Sequence, residues 1–365
     1  MEIRRLQANE LKQAIQLSDQ TFRKEEHTSM GEAFPQVFSK QLSQSFGAFD
    51  GERLISFIGV VPSKMQVGEA ELNTFSIGSV CTHTDYRKQG ISTAILKEVY
   101  DFIDQAKSSL LFVSGDRGLY KRNHCYHFGR VNKYKIDKVS IESKYEGSIR
   151  EGSSADVFLI DDLIQAKEVK YKSSIWEWSM LFDASGYASI FMMKQTLYVA
   201  ENDGVVEGYV VLGVDENSAA KRAIVTDWGG NTASLRAIFM ELLKKKVVSE
   251  IEIAVPWQDS LNDELNDLPF ELEQNGGTIN IVDAERLIEQ LKPYLVKKNP
   301  GLAKSLKIYN TDNSNVTLNY NESKITLSPE ELVKFLFDFQ DDAELGEMQS
   351  LFPVPLPSTI GMFYV

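Results

Sequence analysis

The residues best suited to chemistry lie between Ile77 and Leu96, where an apolar run is followed by a basic loop and then by a helical pattern. Arg87 and Lys88 place positive charge in the loop, and Gly90 would let the backbone approach a ligand closely. A helix that begins near Gly90 would add free backbone amides. Charge and free amides together suit a phosphate or pyrophosphate group, although loops of this composition also serve as simple connections.

Several other kinds of site are excluded by motif and composition. The sequence contains neither G-x-x-x-x-G-K-[ST] nor G-x-G-x-x-G, so the common nucleotide-binding loops are absent. Cys81 and Cys125 are the only cysteines, and there are four histidines. A disulfide framework is excluded, and a four-ligand Cys/His zinc site of the usual spacing is not available. We therefore expect no metal.

The charge is negative overall and uneven along the chain. The net charge is −13, with +3 in residues 1–140 and −16 in residues 141–365. Nonspecific nucleic-acid binding needs a basic surface, so a nucleic-acid partner is not expected. The near-neutral residues 1–140 could hold an anionic cofactor, and the acidic residues 141–365 could attract a cation. Alternatively, the acidity could serve solubility alone. With no apolar run of 18 residues and no signal-like N-terminus, we expect a cytoplasmic protein without a membrane partner.

Length and composition predict a globular chain with more than one domain. The chain has 365 residues, of which 43% are hydrophobic. Residues 11–22 have apolar side chains at helical spacing, and residues 45–82 are short apolar runs separated by turn dipeptides such as Asp50-Gly51. Helical spacing returns from Ile91, and 108–115 has the pattern of a buried strand. We predict an α+β domain of about 140 residues here.

The middle of the chain repeats this order of elements. A helix is predicted over Asp161–Lys172, and a hairpin turned at Asp203-Gly204 follows. A strand, a helix and a further strand come next, up to about residue 256. The order of hairpin, strand, helix and strand matches residues 45–115, as a duplicated fold with one decayed copy would produce.

A third segment begins near Gly276-Gly277 and contains two predicted helices and a hairpin. Three prolines within 353–357 predict an extended path toward the C-terminus. The last four residues, Met362–Val365, are too apolar for a loose tail. We therefore expect the C-terminus to be docked.

The stretch from Val80 to Ser92 resembles the acetyl-CoA-binding motif of the GCN5-related N-acetyltransferase (GNAT) superfamily, whose signature is [Q/R]-x-x-G-x-[G/A]. In this chain the signature corresponds to Arg87-Lys88-Gln89-Gly90-Ile91-Ser92. Ser92 replaces the final glycine or alanine, but it is small and adds a hydroxyl donor.

The resemblance implies acetyl-CoA as the donor substrate, held along one strand and one helix terminus. The backbone of Val80, Cys81 and Thr82 would pair with the pantetheine arm, and the strand should splay from its neighbour near Ser114. The pyrophosphate would be held by residues of the loop and the first helical turn: Arg87, Lys88, Gln89, Gly90, Ile91, Ser92 and Thr93. The alternative is a decayed fold that no longer binds a cofactor.

The segment Ser114–Asn123 is similar to the place where such enzymes keep a tyrosine near the thioester. Tyr120 would then be the general acid for the CoA thiolate, although a tyrosine here could also simply complete a core. Family members often continue with glycine and an aromatic residue, whereas this chain has Asn123-His124-Cys125-Tyr126, so its backbone could take another course.

The order of segments resembles the "enhanced intracellular survival" (Eis-like) acetyltransferases. This implies a mixed α/β (α+β) fold with a catalytic GNAT domain at 1–145, a degenerate GNAT-like domain at 146–273 and a sterol-carrier-protein-like domain at 274–365. In that group the terminal carboxylate reaches the active site, so the resemblance implies that the carboxylate of Val365 is the general base. With a reference pKa of roughly 3.5, an α-carboxylate is ionised at pH 7. Packing for stability alone is the other interpretation. The family also suggests a homo-oligomer.

Two further groups of residues could contact a substrate. Glu25, Glu26 and His27 would suit an ammonium group, unless they form a solvated face. Trp178 and Trp228, with Trp176, could line a pocket, but large aromatic residues usually form core.

The function expected from all this is acetyl transfer from acetyl-CoA to a primary amine of a small molecule or peptide, by direct attack in a ternary complex. The rival hypotheses are a noncatalytic protein that binds CoA or another small ligand, and a lipid carrier that uses the last domain. The sequence does not identify the amine.

Overall fold

The computed structural model describes residues 1–137, 145–215, 221–311, 314–320, 323–339 and 343–365. These residues form two seven-stranded sheets and one three-stranded sheet, with helices packed against them. The strands are β1 (Glu2–Arg5), β2 (Phe46–Asp50), β3 (Arg53–Val67), β4 (Ala70–Thr82), β5 (Leu110–Val113), β6 (Val131–Ile136), β7 (Ser148–Glu151), β8 (Val169–Tyr171), β9 (Lys194–Asn202), β10 (Val205–Val214), β11 (Arg222–Gly230), β12 (Glu250–Pro256), β13 (Phe270–Glu273), β14 (Thr278–Ile281), β15 (Lys307–Asn310), β16 (Val316–Tyr320) and β17 (Ser323–Leu327).

The α-helices are α1 (Leu11–Phe22), α2 (Met30–Ala33), α3 (Ile91–Gln105), α4 (Gly118–Lys121), α5 (Val157–Gln165), α6 (Ile175–Ala184), α7 (Gly186–Ser189), α8 (Thr232–Lys244), α9 (Leu261–Glu264), α10 (Ala284–Lys298), α11 (Pro300–Ser305) and α12 (Pro329–Phe337).

The first sheet contains the short apolar runs of residues 45–82 and the predicted buried strand at 108–115. Its order is β1-β2-β3-β4-β5-β14, and β8 is added at the end of β3. β3 and β4 form a long antiparallel hairpin, whereas β4 and β5 run parallel because α3 connects them. α3 buries Ile91, Ile95 and Val99 against this sheet, as the helical spacing predicts.

The second sheet has the same strand order. It runs β7-β9-β10-β11-β12-β6, with β13 added at its edge. β10 and β11 are antiparallel, and β11 and β12 are parallel with α8 between them. The tandem arrangement of a mixed α/β fold that the sequence predicted is therefore confirmed.

The two sheets exchange their outer strands. β14 follows the second copy in the chain but pairs antiparallel with β5 of the first sheet. β6 follows the first copy but pairs with β12 of the second sheet. The predicted ranges 1–145, 146–273 and 274–365 therefore do not coincide with the sheets, since residues 131–136 and 278–281 each lie in the sheet of another range. Such long-range pairing has no local sequence signal.

One predicted helix is shorter than expected. The helix predicted over Asp161–Lys172 is α5, which begins at Val157 and ends at Gln165. β8 follows it because Tyr171 is buried and pairs with Met65 of β3. The ammonium group of Lys170 donates to the carbonyl of Gln165, which satisfies the end of the helix.

The third segment packs directly on the first sheet. α10 is capped by Asp283, whose carboxylate accepts the Arg286 amide at 3.0 Å. Its buried Leu291 and Leu295 share one core with Met65 and Leu72 of the first sheet. The resemblance to a sterol carrier protein stays a prediction. No helix among the described residues is long and apolar enough to cross a membrane.

Candidate functional site

β4 and β5 separate at one end of the first sheet. Their parallel pairing runs from Thr74 and Leu110 to Ile77 and Val113 and stops there. At the same level β4 shifts register against β3, and Ser79 adopts a positive φ of 53°. The resulting gap leaves the backbone from Gly78 onward without a partner on β5, as the splay expected near Ser114 requires.

The basic loop leads into the start of α3, an arrangement called the cradle below. Gly90 stands directly before this helix with a φ of 76° and has no side chain that could cap it, so the amides of the first turn are not used by a cap. The positive φ, and not a lack of space, explains the glycine at position 90, because a Cβ here would meet no atom within 4 Å. Arg87 donates from Nε to the carbonyl of Thr82 at 3.0 Å, and Lys88 is exposed beside it.

The small residue at position 92 has a defined partner. The hydroxyls of Ser92 and Thr82 are 2.9 Å apart, and the hydroxyls of Thr82 and Ser56 are 2.7 Å apart. This chain of hydroxyls ties the start of α3 to the end of β4. Gln89 and Thr93 are exposed at the cradle, whereas Ile91 is buried and anchors the helix.

Cys81 is suited to a backbone contact and not to nucleophilic chemistry. Its side chain is buried beneath α1, with the sulfur 3.7 Å from the Ser18 hydroxyl. Burial raises the pKa of the Cys81 thiol to about 11, so the thiol stays neutral near pH 7. Val80 beside it is partly exposed toward the gap.

Tyr120 lies on the short helix α4 and faces the same gap. Its ring is buried and packs on the backbone of Gly115. Burial raises the pKa of Tyr120 to about 12, and the positive charge of Arg117 partly offsets this effect. The hydroxyl makes no hydrogen bond to any residue that the structure describes. It is therefore free to donate to a ligand in the gap.

The C-terminus is held beside β4 by its last residues. The ring of Phe363 stacks on Tyr171 with 4.7 Å between centroids, and the ring of Tyr364 lies 5.2 Å from that of Tyr187. The carboxyl carbon of Val365 sits against Gly78, where a Cβ would approach it to 2.5 Å. Glycine at position 78 is what allows the terminal carboxylate to reach the gap.

Tyr120 and Val365 both line one cavity of about 280 Å³. Its lining comes from the first sheet, the α1–α2 region, α4, the second copy and the C-terminus: Phe22, Arg23, Met30, Phe34, Gly78, Ser79, Val80, Ser114, Gly115, Arg117, Tyr120, Ile190, Tyr364 and Val365. A much smaller cavity of about 20 Å³ lies behind Ser114 and Val365. A phenol donor and a carboxylate acceptor beside one cavity suit proton transfer during attack on a carbonyl.

The predicted substrate residues lie outside this cavity. Glu25 and Glu26 are exposed, and His27 accepts the Lys24 amide at 3.3 Å in a local turn. Arg23, from the same segment, lines the cavity instead. No pattern in the sequence marks Arg23, because a lone arginine after a helix is common.

The tryptophans contribute no wall to the cavity. Trp176 is exposed, and Trp178 donates to Asp227 at 2.9 Å. Trp228 packs in the core of the second copy and lines a separate cavity of about 860 Å³, so the prediction of a tryptophan-lined pocket holds for Trp228 there. Among the described residues, no group of three or more His, Cys, Asp or Glu side chains is placed to hold a metal ion.

Comparison with known proteins agrees with this geometry. Residues 2–124 match the family model of the acetyltransferase (GNAT) domain. A structure from Enterococcus faecalis V583, described as a probable N-acyltransferase, matches with a TM-score of 0.67 at 16% identity, over 90% of this chain and 84% of that chain. No curated protein sequence gives a significant match.

Two further solved structures have the same fold. Eis1 from Mycobacterium abscessus matches with a TM-score of 0.61 at 15% identity, over 90% of this chain and 85% of that chain. A GCN5-related N-acetyltransferase from Anabaena variabilis ATCC 29413 matches with a TM-score of 0.63 at 10% identity, over 90% and 85%. This fold supports acyl transfer from acyl-CoA to an amine in general terms. Residues 2–124 are therefore similar to the acetyltransferase (GNAT) domain, within a chain whose overall fold is similar to that of Eis1.

Proposed function

We propose that the protein is an N-acetyltransferase that uses acetyl-CoA and acylates a primary amine of a small molecule or peptide. The observation that carries the proposal is the cavity at the gap between β4 and β5, which is lined by both Tyr120 and the carboxylate of Val365. The gap adjoins the strand end that leads into the Arg87–Gly90 loop. A donor group and an acceptor group for protons thus lie beside the place where the thioester would end.

The donor would be held by the predicted cofactor residues. The pyrophosphate would lie at the uncapped start of α3 near Arg87 and Lys88, and the pantetheine arm would run along Val80–Thr82. Acetyl is favoured as the acyl group because the space behind Ser114 measures only about 20 Å³, which is close to the volume that one water needs. A long acyl chain would not fit in the space behind Ser114.

The reaction needs one bond formed and one bond broken. The amine nitrogen attacks the thioester carbon, a C–N bond forms, and the carboxylate of Val365 accepts the proton that the nitrogen loses. The C–S bond then breaks, and Tyr120 donates toward the departing sulfur. Because a pKa of about 12 lies above the roughly 8.5 of an ordinary thiol, a hydrogen bond to the sulfur accounts for most of the tyrosine's effect.

The first experiment measures thermal unfolding with and without acetyl-CoA. A ligand at 100 times its dissociation constant stabilises the folded state by about 2.7 kcal/mol, which gives a clear shift. Arg87→Glu should abolish the shift. Lys97→Glu makes the same charge change on an exposed site further along α3 and should leave the shift in place.

Release of CoA thiol with a panel of amines then separates the enzyme from its rival. A noncatalytic CoA-binding protein would show the thermal shift without turnover of any amine. No shift at millimolar acetyl-CoA would reject the proposed donor. The oligomeric state and the cytoplasmic location stay predictions.

A further inference from the structure

The cavity lined by Tyr120 and Val365 is called the acceptor cavity here. The charges along its wall are unusual for a site that takes a cationic substrate. Arg23 and Arg117 are its two cations, and the carboxylate of Val365 is its anion. No Asp or Glu side chain is among the described residues that line it. A substrate with several ammonium groups would therefore meet one carboxylate and two guanidinium groups.

Arg23 has donors to spare and no carboxylate within ion-pair distance among the described residues, and the charge of Asp19 acts on it only from further away. Its Nε contacts the sulfur of Met30 at 3.1 Å, and its two Nη atoms donate to the carbonyl and hydroxyl of Ser189 at 3.1 and 3.0 Å. A guanidinium group has five N–H donors, so two remain without an acceptor among the described residues. No carboxylate of these residues forms an ion pair with it. The side chain is half-buried, which makes an unpaired charge costly.

The three contacts also hold Arg23 in place. Two of them join the end of α1 to α7 of the second copy, and the third joins it to Met30 of α2. The guanidinium carbon lies 5.7 Å from the centre of the Phe34 ring. A fixed guanidinium with free donors is suited to a planar carboxylate.

Large apolar side chains form part of the remaining wall, beside Ser79 and Ser114. Phe34 and Met30 are buried within it, whereas Phe22 and Ile190 are each 38% exposed at its edge. Large apolar side chains that stay exposed beside a cavity are typical of a surface that a ligand covers.

We propose that the acceptor is a small amino acid-like amine, in which a carboxylate binds Arg23, an apolar side chain covers Phe22 and Ile190, and the amine points to the carboxylate of Val365. This inference rests on the proposed N-acetyltransferase function and names its substrate class. The cavity volume of about 280 Å³ fits an acceptor of this size, because it lies below the range of roughly 300–1,000 Å³ typical of sites for larger ligands.

The test compares apolar L-amino acids with the matching amines that lack the carboxylate. L-leucine, L-methionine and L-phenylalanine are assayed beside isoamylamine, 3-(methylthio)propylamine and phenethylamine, with spermidine as a polycation. The readout is the ratio of kcat/KM for each amino acid to that for its amine. We expect the ratio to exceed one in the unaltered protein and to fall about ten- to a hundredfold in Arg23→Gln, the size expected for a lost charge-assisted hydrogen bond.

Arg117→Gln is the matched variant. It removes the other cation of the cavity and should change the ratio much less than Arg23→Gln does. Spermidine as the preferred acceptor, a ratio unchanged in Arg23→Gln, or a larger fall in Arg117→Gln would each overturn the inference.

A binding measurement covers the case in which turnover is slow or the variant is impaired. N-acetyl-L-phenylalanine and N-acetylphenethylamine are titrated into the unaltered protein with CoA present. Tighter binding of the carboxylate-bearing product supports the inference, and equal binding overturns it. Failure of the proposed function is distinct, because then acetyl-CoA would give no thermal shift, or would give the shift without turnover of any amine in the panel.

Discussion

The two sheets share one strand order but differ at the end where the first forms its cradle. In the first sheet, the loop at 83–90 separates β4 from α3 and ends at the uncapped Gly90. In the second sheet, Asn231 alone separates β11 from α8, and its side chain accepts the amides of Ala233 and Ser234 at 2.9 and 3.4 Å. The second copy thus satisfies its own helix amides, whereas the first leaves them for a ligand.

The gap between the parallel strands also differs. In the second copy, pairing of β11 with β12 ends at Ile224 and Glu252, and the C-terminal segment lies on the strand just beyond. There the Met362 amide donates to the carbonyl of Thr226 at 3.1 Å. In the first copy, Val365 lies against Gly78, and the gap beside these two residues stays open as a cavity. The same C-terminal segment therefore packs on β11 of the second copy and lines the cavity of the first copy.

Moving the terminal carboxylate should have the largest effect on activity. Extending the chain by one glycine after Val365 keeps every side chain but shifts the carboxylate away from Gly78. We expect kcat to fall on the order of 10²- to 10⁴-fold, the usual contribution of a positioned base. Acetyl-CoA binding by calorimetry is the control, and it should persist. Normal turnover in the extended chain would assign Val365 a structural role.

Replacing Tyr120 by Phe should lower kcat by on the order of 10²-fold, because the ring packing stays and only the donor is lost. The pH profile gives a second check. Since burial raises the pKa of Tyr120 to about 12, the phenol stays protonated across the working range. Its contribution to stability is fully present below pH 10 and is lost as the pH rises through about 12. An activity loss near pH 9 that disappears in Tyr120→Phe would contradict this.

Gly78→Ala tests whether the terminus needs the space above β4. The added Cβ would meet the carboxyl group of Val365, so the C-terminal residues must move. We expect about a tenfold loss of kcat together with a destabilisation of about 1–3 kcal/mol. Gly301→Ala is the matched control because its Cβ meets its nearest atom at 3.7 Å. Equal effects of both variants on kcat would rule out the docking role of position 78.

The smallest effect is expected in the second copy. Asn231→Ala removes the cap of α8 and should cost about 1 kcal/mol of stability in denaturant unfolding. Acetyl-CoA affinity should not change, because this copy is not expected to bind the cofactor. A weakened affinity would show that the two copies are not independent in binding.

The elements around the cradle could be predicted because their signals are local. The apolar spacing of Ile91, Ile95 and Val99 and the glycine before them mark both the helix and its open start. The repeated order of elements likewise predicts the second sheet, although the residues themselves do not repeat.

The rest depends on contacts between distant parts of the chain. Thr278–Ile281 has the pattern of a buried strand, but nothing in it indicates β5 as its partner. Val169–Tyr171 lies in a helical pattern, and pairing with β3 overrides that preference. Arg23 becomes a candidate only when Ser189 of the second copy fixes its direction. The strand end, the loop and the start of α3 could therefore be predicted from the sequence, whereas Arg23 and the contacts that position it could not.

The most direct test of the comparison is the stoichiometry of acetyl-CoA binding by calorimetry. We expect one molecule per chain, bound by the first copy, and no binding in Arg87→Glu. Two molecules per chain, or one that still binds in Arg87→Glu, would contradict it.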